Sequence, residues 1–225
     1  SIWLANNTYA QNIKSFLYDQ NSGLDQSYIY TLLQDDFNHL WIGTQQGLYT
    51  YNGKTFEKFT ENEGLVNDLV ISSFRDSKGK LYFGHFNGAL TIYHNHEFDT
   101  LRLSDEMLQP IAFLELEEVI YVLTRSHGIY AIDEHSVNHY LNKELNGKIA
   151  SHFTIFNRKI LISHHEGILT FDPNNQSFAK APLNDQLTGP SYLIKQKFDS
   201  GCWEWSEGKG LMKVNKEEEL FEIIS

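Results

Sequence analysis

Short apolar runs rich in Ile, Tyr, Phe, Leu and Thr alternate along the chain with clusters of Asn, Asp and Gly. That punctuation predicts strands and turns. Few windows of about 12 residues keep an apolar stripe at helical spacing without a Gly or Asx break. The exception, 104–108, is long enough for only one turn. An all-β chain is expected.

The strand pattern repeats. Gly23, Trp41, Gly43 and Gly47 recur 41 residues later as Gly64, Tyr82, Gly84 and Gly88. Gly128, Gly167 and Gly210 continue the series at intervals of 40, 39 and 43 residues. Ile2-Trp3-Leu4 stands 38 residues ahead of Leu40-Trp41-Ile42, so part of an earlier copy leads the chain. The expected division is a partial unit over 1–22 and five complete units over about 23–62, 63–105, 106–146, 147–186 and 187–225.

Within the first complete unit the pattern predicts strands A to D over 28–34, 40–44, 48–51 and 56–59. Asp35-Asp36-Phe37-Asn38 makes the A–B turn, where Asx side chains can bond the local backbone. Gly47 closes the B–C turn, and Asn52-Gly53 is a strong hairpin signal for the C–D turn. Asp76-Ser77-Lys78-Gly79 and Asp199-Ser200-Gly201 repeat the first of these turns, and Asp172-Pro173-Asn174-Asn175 the last. A four-stranded unit of about 40 residues cannot bury both faces alone, whereas copies packed around an axis can. The expected fold is therefore a β-propeller of four-stranded antiparallel blades, with Gly47, Gly88, Gly128, Gly167 and Gly210 at equivalent turns. It would form a six-bladed ring or part of a seven-bladed one. A β-sandwich gives no reason for glycines to recur at this interval.

At Gly23-Leu24, Gln34-Asp35, Leu40-Trp41-Ile42-Gly43-Thr44 and Gly47-Leu48-Tyr49 the sequence resembles the two-component regulator propeller repeat. The second copy keeps Gly64-Leu65, Asp76, Leu81-Tyr82-Phe83-Gly84 and Gly88 but has Ala89 in place of Leu. From Leu108 on, the Trp and first Gly are lost while the apolar frame and second Gly persist, and Cys202-Trp203 recovers the Trp. WD-type and kelch repeats fit less well, since no Trp-Asp dipeptide occurs and the period is too short for kelch. The resemblance implies a sensor region of a hybrid two-component regulator, lying outside the inner membrane in the periplasm. It implies an oligosaccharide or other small polar cue, contact with adjacent domains of the same regulator, and a homodimer as one arrangement. The kinase that such a sensor addresses would lie in another part of the protein, because this chain shows no phosphoacceptor helix or nucleotide-binding loop.

Charge narrows the partners. With 18 basic and 29 acidic residues the formal net charge is −11 and the isoelectric point about 5.3. Bulk electrostatics therefore disfavours nucleic acid and anionic lipid. No apolar run approaches the ~18 residues of a membrane span. The chain opens on Ser1-Ile2-Trp3 without a charged leader, as a mature protein or a segment of a longer one would. Cys202 is the only cysteine, so no internal disulfide forms.

Trp3, Trp41 and Trp203 occupy one repeat position and are expected between blades, with sugar stacking as the alternative. Trp205 lies outside that register near an insertion and is the better ligand candidate. Four histidines fall in or beside B–C turns. In a propeller these turns share one end of the disc with the D–A links. His85, Phe86, Arg125, His127, His164, His165 and Trp205 are therefore the candidate ligand-binding residues. Asn87, Glu166, Glu207, Lys209, Gln45 and Gln46 would complete a mixture of rings, amides and charges suited to a polar ligand. His94-Asn95-His96 lies at a C–D turn on the other end. Adjacent His164-His165 point to opposite sides of an extended chain, so no metal site and no cofactor are expected. Carboxylates cluster at Asp35-Asp36, Glu115/Glu117/Glu118 and 217–219, each at a turn or strand end. No Gly-x-Ser-x-Gly elbow exists, and Cys202 has no activating partner in sequence. The expectation is a noncatalytic sensor. The alternatives are a carbohydrate-degrading enzyme on a propeller and a protein-binding scaffold.

Overall fold

The computed structural model describes residues 17–25, 28–143, 145–156, 158–180, 191–198, 201–206, 210–215 and 221–224, and the side chains it describes end at Lys180. Ile2-Trp3-Leu4, Glu207, Lys209 and 217–219 lie outside the described residues, as do the side chains of Trp203 and Trp205. The first sheet comprises β1 (Ile29–Gln34), β2 (Leu40–Thr44), β3 (Gly47–Tyr51) and β4 (Phe56–Phe59). The second comprises β5 (Val70–Arg75), β6 (Leu81–His85), β7 (Ala89–His94) and β8 (Glu97–Arg102). The third comprises β9 (Pro110–Leu116), β10 (Val119–Thr124), β11 (Ile129–Ile132) and β12 (Val137–Tyr140). The fourth comprises β13 (Ala150–Phe156), β14 (Lys159–His164), β15 (Gly167–Asp172) and β16 (Ser177–Lys180). The fifth comprises β17 (Ser191–Phe198), β18 (Gly201–Ser206), β19 (Gly210–Asn215) and β20 (Phe221–Ile224).

All five sheets have their four strands in sequence order, and all the pairings are antiparallel. The first strands β1, β5, β9, β13 and β17 pack against one another in succession. Blades therefore follow one another around an axis with strand A innermost, as the sequence period requires. Gly47, Gly88, Gly128, Gly167 and Gly210 all stand at the entrance to the third strand of their sheet. Gly128 shows why. Its φ is +76°, and a Cβ there would lie 2.3 Å from the Tyr140 carbonyl oxygen at the end of β12. The C–D turn of the first blade differs from a two-residue hairpin. Residues 52–55 form a longer link in which Asn52 Oδ1 accepts from the backbone N–H of Lys54 and of Thr55, both at 2.9 Å. The tight two-residue geometry falls instead at Asn95-His96, both left-handed at φ 51° and 66°.

The core is divided into layers between blades. Trp41 and Leu48 of the first blade cluster with Leu65, Val70, Leu81 and Phe83. Tyr82 and Leu90 cluster with Phe113, Ile120 and Val122. Tyr121 and Leu123 cluster with Phe153, Ile162 and Phe171. The ring at the second or third position of strand B supplies each link. Trp41 is 2% exposed, and its ring lies 5.4 Å from Phe83 and 4.7 Å from Tyr93 in the next blade. Tyr82 lies 6.4 Å from Phe113, and Tyr121 lies 6.3 Å from Phe171.

The A–B turn holds that ring in place. Asp35 accepts from the Phe37 N–H at 2.9 Å, the His39 N–H at 2.8 Å and the Trp41 indole N–H at 3.0 Å. Asp76 accepts in the same way from Lys78 N–H at 3.0 Å, Lys80 N–H at 2.8 Å and the Tyr82 hydroxyl at 3.2 Å. In the third blade the turn shrinks to Glu117-Glu118 in left-handed geometry, φ 52° and 65°, and the Asp is absent. Gly43 and Gly84 let the next blade's strand A come close. A Cβ at Gly43 would lie 2.8 Å from Val70 Cγ1, and one at Gly84 would lie 3.0 Å from Pro110 Cγ.

Two stability predictions follow from this packing. Trp41→Ala should lower the unfolding free energy by about 3–5 kcal/mol, read from urea melts, and an unchanged midpoint would contradict the interblade assignment. Gly128→Ala should be more damaging than Gly53→Ala. Gly53 is also left-handed, at φ +91°, but nothing lies within 4 Å of a Cβ there. Backbone strain alone should then cost about 1–2 kcal/mol at Gly53, with a steric clash added at Gly128.

Candidate functional site

The first residue of each of the first four A strands pairs with the last residue of strand B, next to a register shift. Ile29 opposes Thr44, Val70 opposes His85, Pro110 opposes Thr124 and Ala150 opposes His164. Thr44, His85, Thr124 and His164 thus occupy one slot, and all four are buried. Three of these side chains brace the B–C turn that follows. Thr44 Oγ1 donates to the Gly47 carbonyl at 2.7 Å and accepts from the Gln46 N–H at 3.2 Å. Thr124 Oγ1 donates to the Gly128 carbonyl at 2.8 Å and accepts from the His127 N–H at 3.1 Å. His164 Nδ1 accepts from the Glu166 N–H at 3.3 Å. His85 turns its Nε2 to the Thr91 hydroxyl at 2.8 Å instead.

His85 and His164 therefore sit beneath the end of the disc that was expected to carry the ligand. Phe86, Arg125, His127 and His165 are nearer solvent. Phe86 is 37% exposed. Arg125 is exposed, and its backbone bridges two D–A links, donating to Gln109 O and accepting from Ala150 N. His127 Nε2 lies 3.4 Å from Glu106, and His165 Nε2 lies 3.4 Å from Glu166. Trp205 lies in β18, where its backbone partners are Tyr192 and Leu211. Among these residues the same end exposes Met107, Leu141 and Ile149. It is a mixed polar and apolar surface.

A concave site lies at the opposite end, between the first two blades. It encloses about 740 Å³ and is lined by both A–B turns and both C–D turns. Phe37, His39, Tyr93, His94 and His96 bring rings to it, with Trp41 and Phe59 at its inner side. Phe37 is 73% exposed, and the Tyr93 hydroxyl lies 3.4 Å from His96 Nδ1. The sequence hint was an apolar Phe37 in a turn otherwise made of Asp, Asn and His. The carboxylates on this end are largely committed to ties between blades. Asp36 pairs with Arg75, Glu117 with Arg158, and Glu118 with Lys78. Glu115 accepts from the Ser77 backbone and hydroxyl. Among the described residues no group of three or more His, Cys, Asp or Glu is arranged to hold a metal.

Radial four-stranded sheets joined by interblade aromatic layers define a β-propeller. Residues 23–46, which contain the Asp35–Trp41 turn, match the family model for the two component regulator propeller. The extracellular domain of BT4673 from B. thetaiotaomicron, described as a one-component and also as a hybrid two-component system, is similar in fold. Its TM-score is 0.70 at 18% identity, covering 89% of this chain and 28% of that one. The extracellular domain of the hybrid two-component system BT3049 from the same organism gives 0.57 at 16% identity, covering 93% and 36%. The WD40 propeller domain of Doa1 gives 0.61 at 13% identity, covering 88% and 68%. The chain therefore spans about a third or less of the two B. thetaiotaomicron domains. A search of curated proteins returns no match.

Burial gives His85 a measurable signature. Removed from water, its imidazole is pushed down from the ordinary value to about 4. The Asn67 and Leu69 backbone oppose this shift less strongly than burial drives it, and Nδ1 completes no hydrogen bond. An unfolded chain takes up a proton here as pH falls below about 6.5, while the folded chain resists until about 4. The stabilising contribution is thus complete above pH 6.5 and is lost as pH falls towards 4. By pH 4.5 the loss should reach on the order of 2–3 kcal/mol. His85→Thr, which places in this slot the residue found at Thr44 and Thr124, should flatten the pH dependence of urea stability between pH 7 and 4.5. Parallel pH profiles for parent and variant would refute the assignment.

Proposed function

We propose that this chain is part of the extracytoplasmic sensor region of a two-component regulator, and that it is noncatalytic and answers a small polar cue, a carbohydrate above all. The observation that carries this reading is the match over 23–46, whose Asp35–Trp41 turn is repeated at Asp76–Tyr82. The extracellular assignment of the similar B. thetaiotaomicron domains supports a periplasmic location. No helix among the described residues is long and apolar enough to cross a membrane.

The end bearing Phe86, Arg125, His127 and His165 suits contact with an adjacent domain of the regulator or with a second copy in a homodimer. Exposed Met107, Leu141 and Ile149 favour a protein surface there over a free sugar. Among the described residues, the engagement of Asp36, Glu115, Glu117 and Glu118 between blades weighs against hydrolysis, which needs two free carboxylates about 5–10 Å apart.

The test uses the intact regulator with a transcriptional reporter. Deleting the 225-residue segment should abolish the response to a mixture of plant and host polysaccharides. An undiminished response would overturn the sensor reading, and turnover of a glycan by the purified chain would favour the enzyme.

A further inference from the structure

The geometry points to the groove between the first two blades as a seat for a neutral saccharide. This rests on the sensor reading and adds to it a place and a chemical class. The groove is walled by the five-residue A–B turn of the first blade and by the C–D turn of the second, which carries Asn95 and His96. The third blade closes its A–B turn with two residues, Glu117-Glu118, so it raises no comparable wall.

A pyranose offers apolar C–H faces that lie on rings and hydroxyls that need donors and acceptors. Phe37 is a large apolar side chain held 73% exposed in a turn. Its backbone N–H is fixed by Asp35 at 2.9 Å, and its ring lies 6.3 Å from that of His39. His94 and His96 add further rings, while Asn95 and Glu57 supply amide and carboxylate groups.

An acidic glycan needs free Arg or Lys. Lys78, which lines the groove, is held at 3.0 Å by Glu118 and at 3.3 Å by Glu134. Arg75 is held by Asp36. Glu57, which also lines the groove, repels uronates and sulfates.

The full chain is titrated calorimetrically with two probes, a mixture of neutral gluco-, manno- and xylo-oligosaccharides and an oligogalacturonate. The neutral mixture should bind and the oligogalacturonate should not. Phe37→Ser and His96→Asn should each weaken binding at least tenfold with an unchanged melting temperature. Asn is chosen because position 96 has φ +66°, which Asn tolerates. Val137→Ser, an exposed position on the outer strand β12 of the third blade, should leave binding as it is. In the parent, the ring-proton NMR resonances of His94 and His96 should shift during the titration, which locates the ligand even if a variant fails to fold. Neutral binding that survives both groove variants without shifting those resonances would overturn the groove and leave the sensor reading intact. Preferential binding of oligogalacturonate would overturn the neutral class. Binding of neither probe would overturn the saccharide seat, while the segment-deletion experiment would still decide the sensor reading on its own.

Discussion

The fold depends on one contact, the ring near the start of strand B pressed against the next blade. A single antiparallel sheet of four short strands has two faces to bury and no partner of its own. Trp41 supplies the partner by reaching Phe83 and Tyr93, and Tyr82 and Tyr121 repeat the reach. A ring with a polar atom must also satisfy that atom where it is buried. Asp35 and Asp76 do so while their other bonds fold the A–B turn. Turn and wedge are therefore one device. Where the turn contracts, at Glu117-Glu118, the Asp disappears with it.

This coupling shapes the A–B end of the disc. The longer turns carry side chains outward, and those side chains tie neighbouring blades together through Asp36–Arg75, Ser77–Glu115 and Lys78–Glu118. Such exposed pairs contribute modestly to stability, but they fix where the turns lie. Carboxylates that look in sequence like acid–base pairs are thereby engaged as fasteners, and the groove between blades is left lined by rings.

The period, the strand order and the place of the five glycines were legible in the sequence, because each follows from backbone demands that recur with the blade. The interblade role of Trp41 was legible for the same reason. The histidines were harder. Periodicity placed His85 and His164 at B–C turns, and they are there, but a register shift at the start of strand A turns that slot inward. Thr44, His85, Thr124 and His164 fall 41, 39 and 40 residues apart, a polar repeat that marks the slot as structural. The groove was not legible, because its walls come from turns of two different blades, and no single repeat contains it.

The two ends of the propeller now have distinct characters, and the difference bears on signalling. A ligand moves an equilibrium only if it binds one arrangement better than another. A pocket contained within one blade would keep its shape through any rearrangement between blades and so could not discriminate. The groove proposed for the cue has one wall on each of two blades, with Trp41 and Phe59 at its inner side. Its width depends on the angle between those blades, and the same angle positions Gly43 against Val70 near the opposite end. Close packing makes such an interface respond in discrete steps more than by gradual flexing. In the proposed sensor, a saccharide that bridges the walls would favour one interblade angle. The surface around Phe86, on the B–C turn of the second of those blades, would present that choice to the next domain.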